Sequence, residues 1–218
     1  MEDDAPGGRM GHAVLLGDSI FDNTRYVDGG PDVVAHLRAA LPRDWRATLL
    51  AVDGDVTSGV ERQLRALPAD ATHLVVSVGG NDALGYRHLL QRPVTGVPDA
   101  LLAFHSAQED FMRDYTAMLD AVLAAGLDAA VCTIYDTPAS EPGHAVIRTA
   151  LAFFNDCITR AAFSRGVAVI DLRLVCDADG DYANPIEPSV QGGGKIATAI
   201  RAFLLPDDRD RRSVVVAR

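Results

Sequence analysis

The sequence is poor in basic residues relative to acidic ones. Its 218 residues include 20 lysines and arginines against 30 aspartates and glutamates, which gives a formal net charge of −10. This balance argues against nucleic-acid binding, because such proteins need a basic patch to neutralise phosphates. We therefore expect no nucleic-acid partner.

Cysteine and long apolar runs are also scarce. The three cysteines, Cys132, Cys157 and Cys176, are an odd number at wide spacings, which suits neither a disulfide framework nor a zinc site. No apolar run is long enough to span a bilayer, and the first ten residues, MEDDAPGGRM, carry acids where a secretory signal would carry basic residues. These features predict buried or idle thiols, no bound metal, a cytoplasmic location and no membrane partner.

What the chain does contain is a regular series of short apolar runs separated by helical patterns. The runs are too continuous for half-exposed strands, so they predict buried parallel strands. The predicted strands are 12–17, 46–52, 73–79, 129–134 and 167–172, and the predicted helices are 32–41, 58–67, 107–125, 145–165 and 192–204. This alternation predicts a three-layer α/β sandwich in a single domain over residues 12–205, with tails at 1–11 and 206–218.

Chemically useful residues follow several of these strands, at the sheet edge where ligands bind in such folds. Ser19 follows the first strand, Gly54 the second and Asn81 the third. Each type is common in turns when taken alone. Together, in this order, they fit a nucleophile with an oxyanion hole made of the Gly54 amide and the Asn81 side chain.

These positions resemble the SGNH, or GDSL-type, hydrolase superfamily in four blocks: GDSI (17–20), VDGD around Gly54, GGND (79–82) and PSVQGGGKIA (188–197). The resemblance implies a flavodoxin-like α/β/α fold and hydrolysis of esters of lipids or acyl sugars, or of thioesters, without metal or cofactor. It also implies that Ser19 is the nucleophile, with the Ser19 amide, the Gly54 amide and the Asn81 side chain as oxyanion donors. Asp18, in the first block, is a further candidate binding residue.

The last block departs from the family pattern. Members usually carry an Asp and, three residues later, a His before the Pro-Ser pair, and here these positions hold Asn184 and Glu187. Glu187 occupies the place of the usual base, and a glutamate can serve as one if burial raises its pKa. Asn184 could then orient Glu187 by donating an amide hydrogen bond.

Three alternatives remain at this point: a histidine from another part of the chain as the base, a binding protein without catalysis, and a transferase or other use of the same scaffold. His88 and His144 fall near loops at the ligand-side edge, although we expect neither to reach Ser19, since the family's base comes from the last block. The second alternative is a catalytically silent protein that binds a small carboxylate or acyl ligand in the same pocket.

Two further segments attract attention. Asp177, Asp179 and Asp181 alternate as at the start of a calcium loop, but the distal glutamate is missing, so an acidic turn is the better interpretation. The segment 135–144 is rich in turn formers and is expected to form a flexible lid or a wall over the site.

Overall fold

The computed structural model describes residues 10–207 and residue 215. Its centre is a sheet of five parallel strands in the order β2-β1-β3-β4-β5. The strands are β1 (Gly11–Gly17), β2 (Trp45–Leu49), β3 (His73–Ser77), β4 (Asp128–Cys132) and β5 (Ala168–Ile170). The predicted five-stranded parallel sheet is confirmed. The predicted tails fall largely on residues outside the described part of the chain, and the domain limits stay a prediction.

Helices cover both faces of this sheet. They are α1 (Val33–Ala40), α2 (Val60–Leu64), α3 (Gly80–Gly85), α4 (Val97–Leu123), α5 (His144–Phe163), α6 (Leu172–Val175) and α7 (Val190–Leu204). One apolar core lies between the sheet and the pair α4 and α5, and a second lies between the sheet and the pair α1 and α7. Burial of these two cores explains why the strands are apolar on both sides. The three-layer α/β/α sandwich is thereby confirmed.

Helix α4 begins ten residues before the predicted helix at 107–125. Pro98 lies in its first turn, where the missing N–H of proline costs nothing. The Asp99 carboxylate accepts from the Thr95 amide at 3.1 Å and pairs with Arg92 at 3.1 Å. These contacts hold the preceding loop against the first turn and extend the helix beyond its buried part.

A small antiparallel hairpin, which the periodicity of the sequence did not predict, lies outside the main sheet. It consists of β6 (Tyr182–Asn184) and β7 (Glu187–Pro188), with Asn184 opposite Glu187. The Asp181 carboxylate just before it is fully buried and accepts from Lys195 at 2.8 Å and from Gln191 at 2.9 Å. The hairpin is therefore anchored to α7.

The register of the central strands positions the site. Gly17, at the end of β1, pairs with Ser77, at the end of β3, so the turns that follow these strands lie side by side. Gly17 has φ of +122°, and a Cβ there would lie 1.8 Å from the Ser77 carbonyl oxygen. Only glycine fits this close approach without displacing a strand.

Candidate active site

The turn after β1 presents Ser19 at the carboxyl edge of the sheet. The Asp18 amide donates to the Ser77 carbonyl at 3.0 Å, and the Ile20 amide donates to Asp18 Oδ1 at 3.1 Å. The Gln63 side chain also accepts from the Gly17 amide at 2.7 Å and donates to the Gly17 carbonyl at 2.8 Å. These bonds hold the turn in one conformation, with Ser19 6% exposed.

Ser19 opens into a cavity of about 250 Å³. Asp18, Asn81 and Glu187 line the same cavity, so four of the six residues singled out in the sequence meet there. The other walls are mainly apolar and include Leu84, Leu90, Phe104, Ile134, Leu151 and Phe154. A few polar groups at one end of an apolar cavity are typical of a site for a small apolar substrate.

Glu187 has the side chain best placed to act on Ser19. It is 4% exposed, and burial raises the pKa of its carboxyl to about 7, with a further upward contribution from the negative charge of Asp53. The Ser19 hydroxyl acts in the opposite direction, because its hydrogen bond to the Glu187 carboxyl favours the ionised form and lowers that pKa. Glu187 Oε2 is buried and has no hydrogen-bond partner within the described residues.

Asn184 is not placed as the sequence suggested. Its Oδ1 accepts from the Ile186 amide at 3.0 Å, a local bond that asparagine commonly makes in a tight turn. The amide group is therefore held within the hairpin turn, and no hydrogen bond joins it to Glu187 in the described part of the chain. The residues of this turn that line the cavity are Pro185 and Ile186, rather than Asn184.

Two of the three expected oxyanion donors, Asn81 and Gly54, differ in their positions. Asn81 lines the cavity, and its Nδ2 donates to the Asp55 carbonyl at 2.9 Å, which leaves its second amide hydrogen for a ligand. Gly54 has φ of +82° in an exposed turn and is not among the residues that line the cavity. The neighbour of Gly54, Asp55, accepts this hydrogen bond from Asn81. Gly54 is therefore adjacent in sequence to a residue that contacts the cavity lining.

Asp18 is the second buried carboxyl of the site. Burial raises its pKa to about 8, and the negative charge of Glu187 adds to this, while the amide of Ile20 opposes it. Burial therefore holds both carboxyls protonated to a higher pH than usual. Of the two, Glu187 is the one with a hydrogen bond to the Ser19 hydroxyl.

None of the residues that line the cavity is a histidine. His88 is exposed and its Nδ1 lies 3.2 Å from the Gly85 carbonyl, whereas the Nδ1 of His144 lies 3.0 Å from the Thr137 carbonyl. Neither imidazole has a hydrogen bond to Ser19 in the described part of the chain, as the sequence led us to expect.

Three contributing residues were missed in the sequence: Tyr135, Gln63 and Asp53. The Tyr135 hydroxyl donates to the Ile186 carbonyl at 2.9 Å and so holds the hairpin beside β4. The position of Tyr135, directly after a predicted strand, was the sequence feature that could have marked it as a site residue. Gln63 and Asp53 lie on other elements, and only the folded chain brings them to the Ser19 turn and to Glu187.

Segment 135–144 and the alternating aspartates at 177–181, both singled out in the sequence, also have defined contacts in the structure. Tyr135 and Thr137 line the cavity, so segment 135–144 contributes a wall. Lys195 bridges Asp177 at 2.7 Å and Asp181 at 2.8 Å, and the Asp179 carboxylate accepts from the Ala139 amide at 2.7 Å. The alternating aspartates are therefore occupied by bonds within the chain.

Comparison with known proteins gives the context of this geometry. Residues 15–192 match the family model described as "GDSL-like Lipase/Acylhydrolase family". No curated protein sequence matches the chain.

Several solved structures share the fold. An extracellular lipase from Streptomyces rimosus is 18% identical, with 88% of this chain and 99% of that chain covered and a TM-score of 0.66. A phospholipase A1 from Streptomyces albidoflavus is 17% identical, with 88% and 99% covered and a TM-score of 0.68. The psychrotrophic esterase EstA from a Pseudoalteromonas species, in a structure inhibited by monoethylphosphonate, is 18% identical, with 88% and 98% covered and a TM-score of 0.60.

Proposed function

The chain belongs to the GDSL-like lipase/acylhydrolase family, and on that premise we propose that it hydrolyses a carboxylic ester through Ser19, with Glu187 as the general base. Membership of this family supports ester hydrolysis. The observation that carries the finer assignment is the contact of the Ser19 hydroxyl with the buried Glu187 carboxyl. No other residue that lines the cavity combines such a contact with ionisation near neutral pH.

In the proposed acylation step, the Ser19 oxygen attacks the ester carbonyl carbon while the Glu187 carboxylate takes the hydroxyl proton. The carbonyl oxygen becomes an oxyanion, and collapse of the intermediate expels the alcohol, which takes the proton from Glu187. Water then attacks the acyl-Ser19 ester, with Glu187 again accepting a proton and returning it to the Ser19 oxygen. Acid and alcohol leave, and the enzyme is unchanged.

The raised pKa makes a glutamate suitable for this work. A carboxylate with the ordinary pKa of 4.5 is a weak base toward a serine hydroxyl, and a base works best when its pKa lies near the operating pH. Burial brings the Glu187 pKa to about 7, close to the value of an ordinary histidine. A buried glutamate can therefore replace the histidine that the family usually carries in the last block.

The oxyanion is assigned to the Ser19 amide, the Asn81 side chain and the Gly54 amide. Asn81 is the best supported of these, because it lines the cavity and has one amide hydrogen to donate. The Gly54 amide reaches the oxyanion only if the exposed turn around it moves toward the cavity when substrate binds. Donors of this kind stabilise the negative charge that develops in the transition state.

The cavity favours an ester with an apolar acyl group. Most of its lining residues are apolar, although Arg87, Thr133 and Thr137 also contribute to the walls. An apolar acyl chain is therefore buried mainly against apolar side chains, with little loss of hydrogen bonds. We propose a lipid, acyl-sugar or thioester substrate. The lipase and phospholipase A1 of similar fold act within this range, as their names state.

The test is a panel of esters with graded acyl length, run with wild type, Ser19→Ala and Glu187→Gln. Gln keeps the side-chain shape but cannot accept the serine proton, so we expect kcat to fall about a hundredfold to ten-thousandfold. Glu61→Gln, an exposed glutamate on α2, is the matched control and should behave as wild type. Full activity of Glu187→Gln would remove Glu187 from the mechanism.

The double variant Asn184→Asp, Glu187→His separates catalysis from a silent binding site, since it restores the family's usual pair. If wild type is inert on every ester while the double variant hydrolyses short-chain esters, the protein is a binder of a small carboxylate or acyl ligand. If wild type is active, the double variant should match or exceed it.

A further inference from the structure

The exposed apolar side chains of this protein are gathered around the mouth of the cavity. Among the described residues, twelve large hydrophobic side chains are exposed, and six of them fall in one stretch. These six are Leu84, Leu90, Val94, Val97, Leu101 and Leu102. Single exposed apolar residues are normal on a soluble surface, but such a concentration marks a contact site.

This surface is continuous with the cavity. Val97, Leu101 and Phe104 have the i, i+4, i+7 spacing of one helical face at the start of α4, and Phe104 itself lines the cavity. Leu84 and Leu90 also belong to both the cavity wall and the exposed group. These exposed residues and the cavity wall therefore form one mainly apolar surface, which Arg87 interrupts.

Two more exposed apolar residues border the mouth from other elements. Val146 lies in the first turn of α5, beside Ile147, which lines the cavity, and Ile186 lies in the hairpin turn next to Glu187. We define the mouth face as these two residues together with the six residues between 84 and 102.

The charge of the mouth face differs from that of the rest of the chain. Between residues 84 and 105 there are two arginines and one acid, and Arg92 pairs with that acid, Asp99, at 3.1 Å. Arg87 is therefore the positive charge that this stretch leaves free, in a chain whose formal net charge is −10. Arg87 is exposed, lines the cavity and has no carboxylate partner within residues 10–207. An acidic molecule with one apolar, basic face turns that face toward a negatively charged apolar surface.

We propose that the mouth face docks on an anionic lipid surface, so that the enzyme takes its ester from an assembled amphiphile rather than from free solution. This rests on the proposed function, because it brings the reactive ester bond to Ser19. A second copy of the chain fits the face less well, since a symmetric contact would bring Arg87 against its own counterpart, whereas an anionic headgroup gives it a partner of opposite charge. The described part of the chain has no helix able to cross a membrane, and docking through the mouth face requires none.

The experiment measures binding without turnover. Ser19→Ala protein is sedimented with vesicles of phosphatidylcholine, or of phosphatidylcholine and phosphatidylglycerol in equal parts. We expect binding to both, with tighter binding to the anionic vesicles. Adding Leu101→Asp and Leu102→Asp should weaken binding about tenfold or more, the factor expected when one or two leucine side chains no longer leave water.

The control is Leu174→Asp, which places one such charge on an exposed leucine of α6 that neither lines the cavity nor belongs to the mouth face. It should leave vesicle binding unchanged, and thermal unfolding of each variant should show that all of them fold. Equal weakening by the control, or no binding by the Ser19→Ala protein, would overturn the proposal. Concentration-dependent dimerisation that is abolished by the Leu101 and Leu102 changes, without vesicle binding, would assign the face to self-association instead.

The two proposals fail in different ways. If wild type hydrolyses a dissolved short-chain ester but Ser19→Ala protein does not bind vesicles, only the docking surface is wrong. If the protein binds vesicles but hydrolyses no ester, the proposed function is wrong. Equal binding to neutral and anionic vesicles would overturn the role of Arg87.

Discussion

At Glu187, burial and charge act on one carboxyl in the same direction. Loss of hydration is the larger cause of its raised pKa, and the nearby Asp53 carboxylate adds to it by repulsion. Asp53 is itself held by the Tyr26 hydroxyl at 3.1 Å and by the exposed Arg25 at 3.7 Å. The basicity of Glu187 therefore depends in part on a charged neighbour that does not line the cavity.

The pH dependence of hydrolysis tests this assignment. Because Glu187 must be ionised to accept a proton, we expect kcat/KM of wild type to rise with pH through about 7 and then level off. Asp53→Asn removes the repulsion and should move the midpoint to lower pH. The measurement is a pH profile on a soluble ester, with Asp44→Asn, an exposed residue remote from the cavity, as the control. A wild-type midpoint below pH 5, or one that Asp53→Asn does not move, would contradict the role of Asp53.

At the scale of the elements, the central strands were predictable because their apolar runs are continuous, as in VVSV before the GGND block. The first ten residues of α4 could not be predicted, since a helix is recognised in a sequence by a periodic stripe of apolar residues that become buried. This part of α4 is exposed, with Val97 71% accessible. The hairpin was missed because its strands have three and two residues, too short for any periodicity. Ser19, Asn81 and Glu187 could be predicted as a group. The hydrogen bond that Asn184 accepts from the Ile186 amide could not, since it depends on a turn geometry that the sequence does not show.

The close contact of β1 and β3 at Gly17 can be measured directly. Gly17→Ala and Gly29→Ala both place alanine at positive φ, which costs about 1 kcal/mol, but a Cβ at Gly29 meets no atom within 4 Å. We expect Gly29→Ala to lose about that amount in urea unfolding and Gly17→Ala to lose at least about 3 kcal/mol, because the Ser77 carbonyl must move. Equal losses would show that the strands relax freely at this point.

At the scale of the whole molecule, two buried carboxyls link stability to pH. Asp18 and Glu187 have pKa values of about 8 and 7 in the folded chain, above their ordinary values of 3.8 and 4.5. The folded state thus holds these protons to higher pH than the unfolded state does, and stability falls as pH rises from about 4 through 8. Below about pH 4 other carboxyls reverse the trend, since Asp120 and Asp171 have lowered pKa values from their arginine partners.

We therefore expect the free energy of unfolding to be greatest at mildly acidic pH. Glu187→Gln removes one ionisation and should stabilise the protein at pH 8 by an amount on the order of 1–3 kcal/mol, with little effect near pH 4. Urea unfolding at several pH values is the measurement, and Glu61→Gln should leave the wild-type slope unchanged. A Glu187→Gln variant that is no more stable than wild type at pH 8 would show that burial of this carboxyl costs the fold little.

The hairpin of β6 and β7 adds no strand to the central sheet, although it carries the proposed base. It is held by the pair of Asp181 with Lys195 and by the Tyr135 hydroxyl, whereas the proposed nucleophile is held by the turn after β1. The proposed nucleophile and the proposed base therefore lie on separate pieces of chain, each with contacts of its own. Exchange of residues 182–188 between relatives would then alter the chemistry of proton transfer, and with it the working pH, while the folding framework stayed the same. Related proteins can therefore differ in the residue that accepts the proton while they keep the same central sheet.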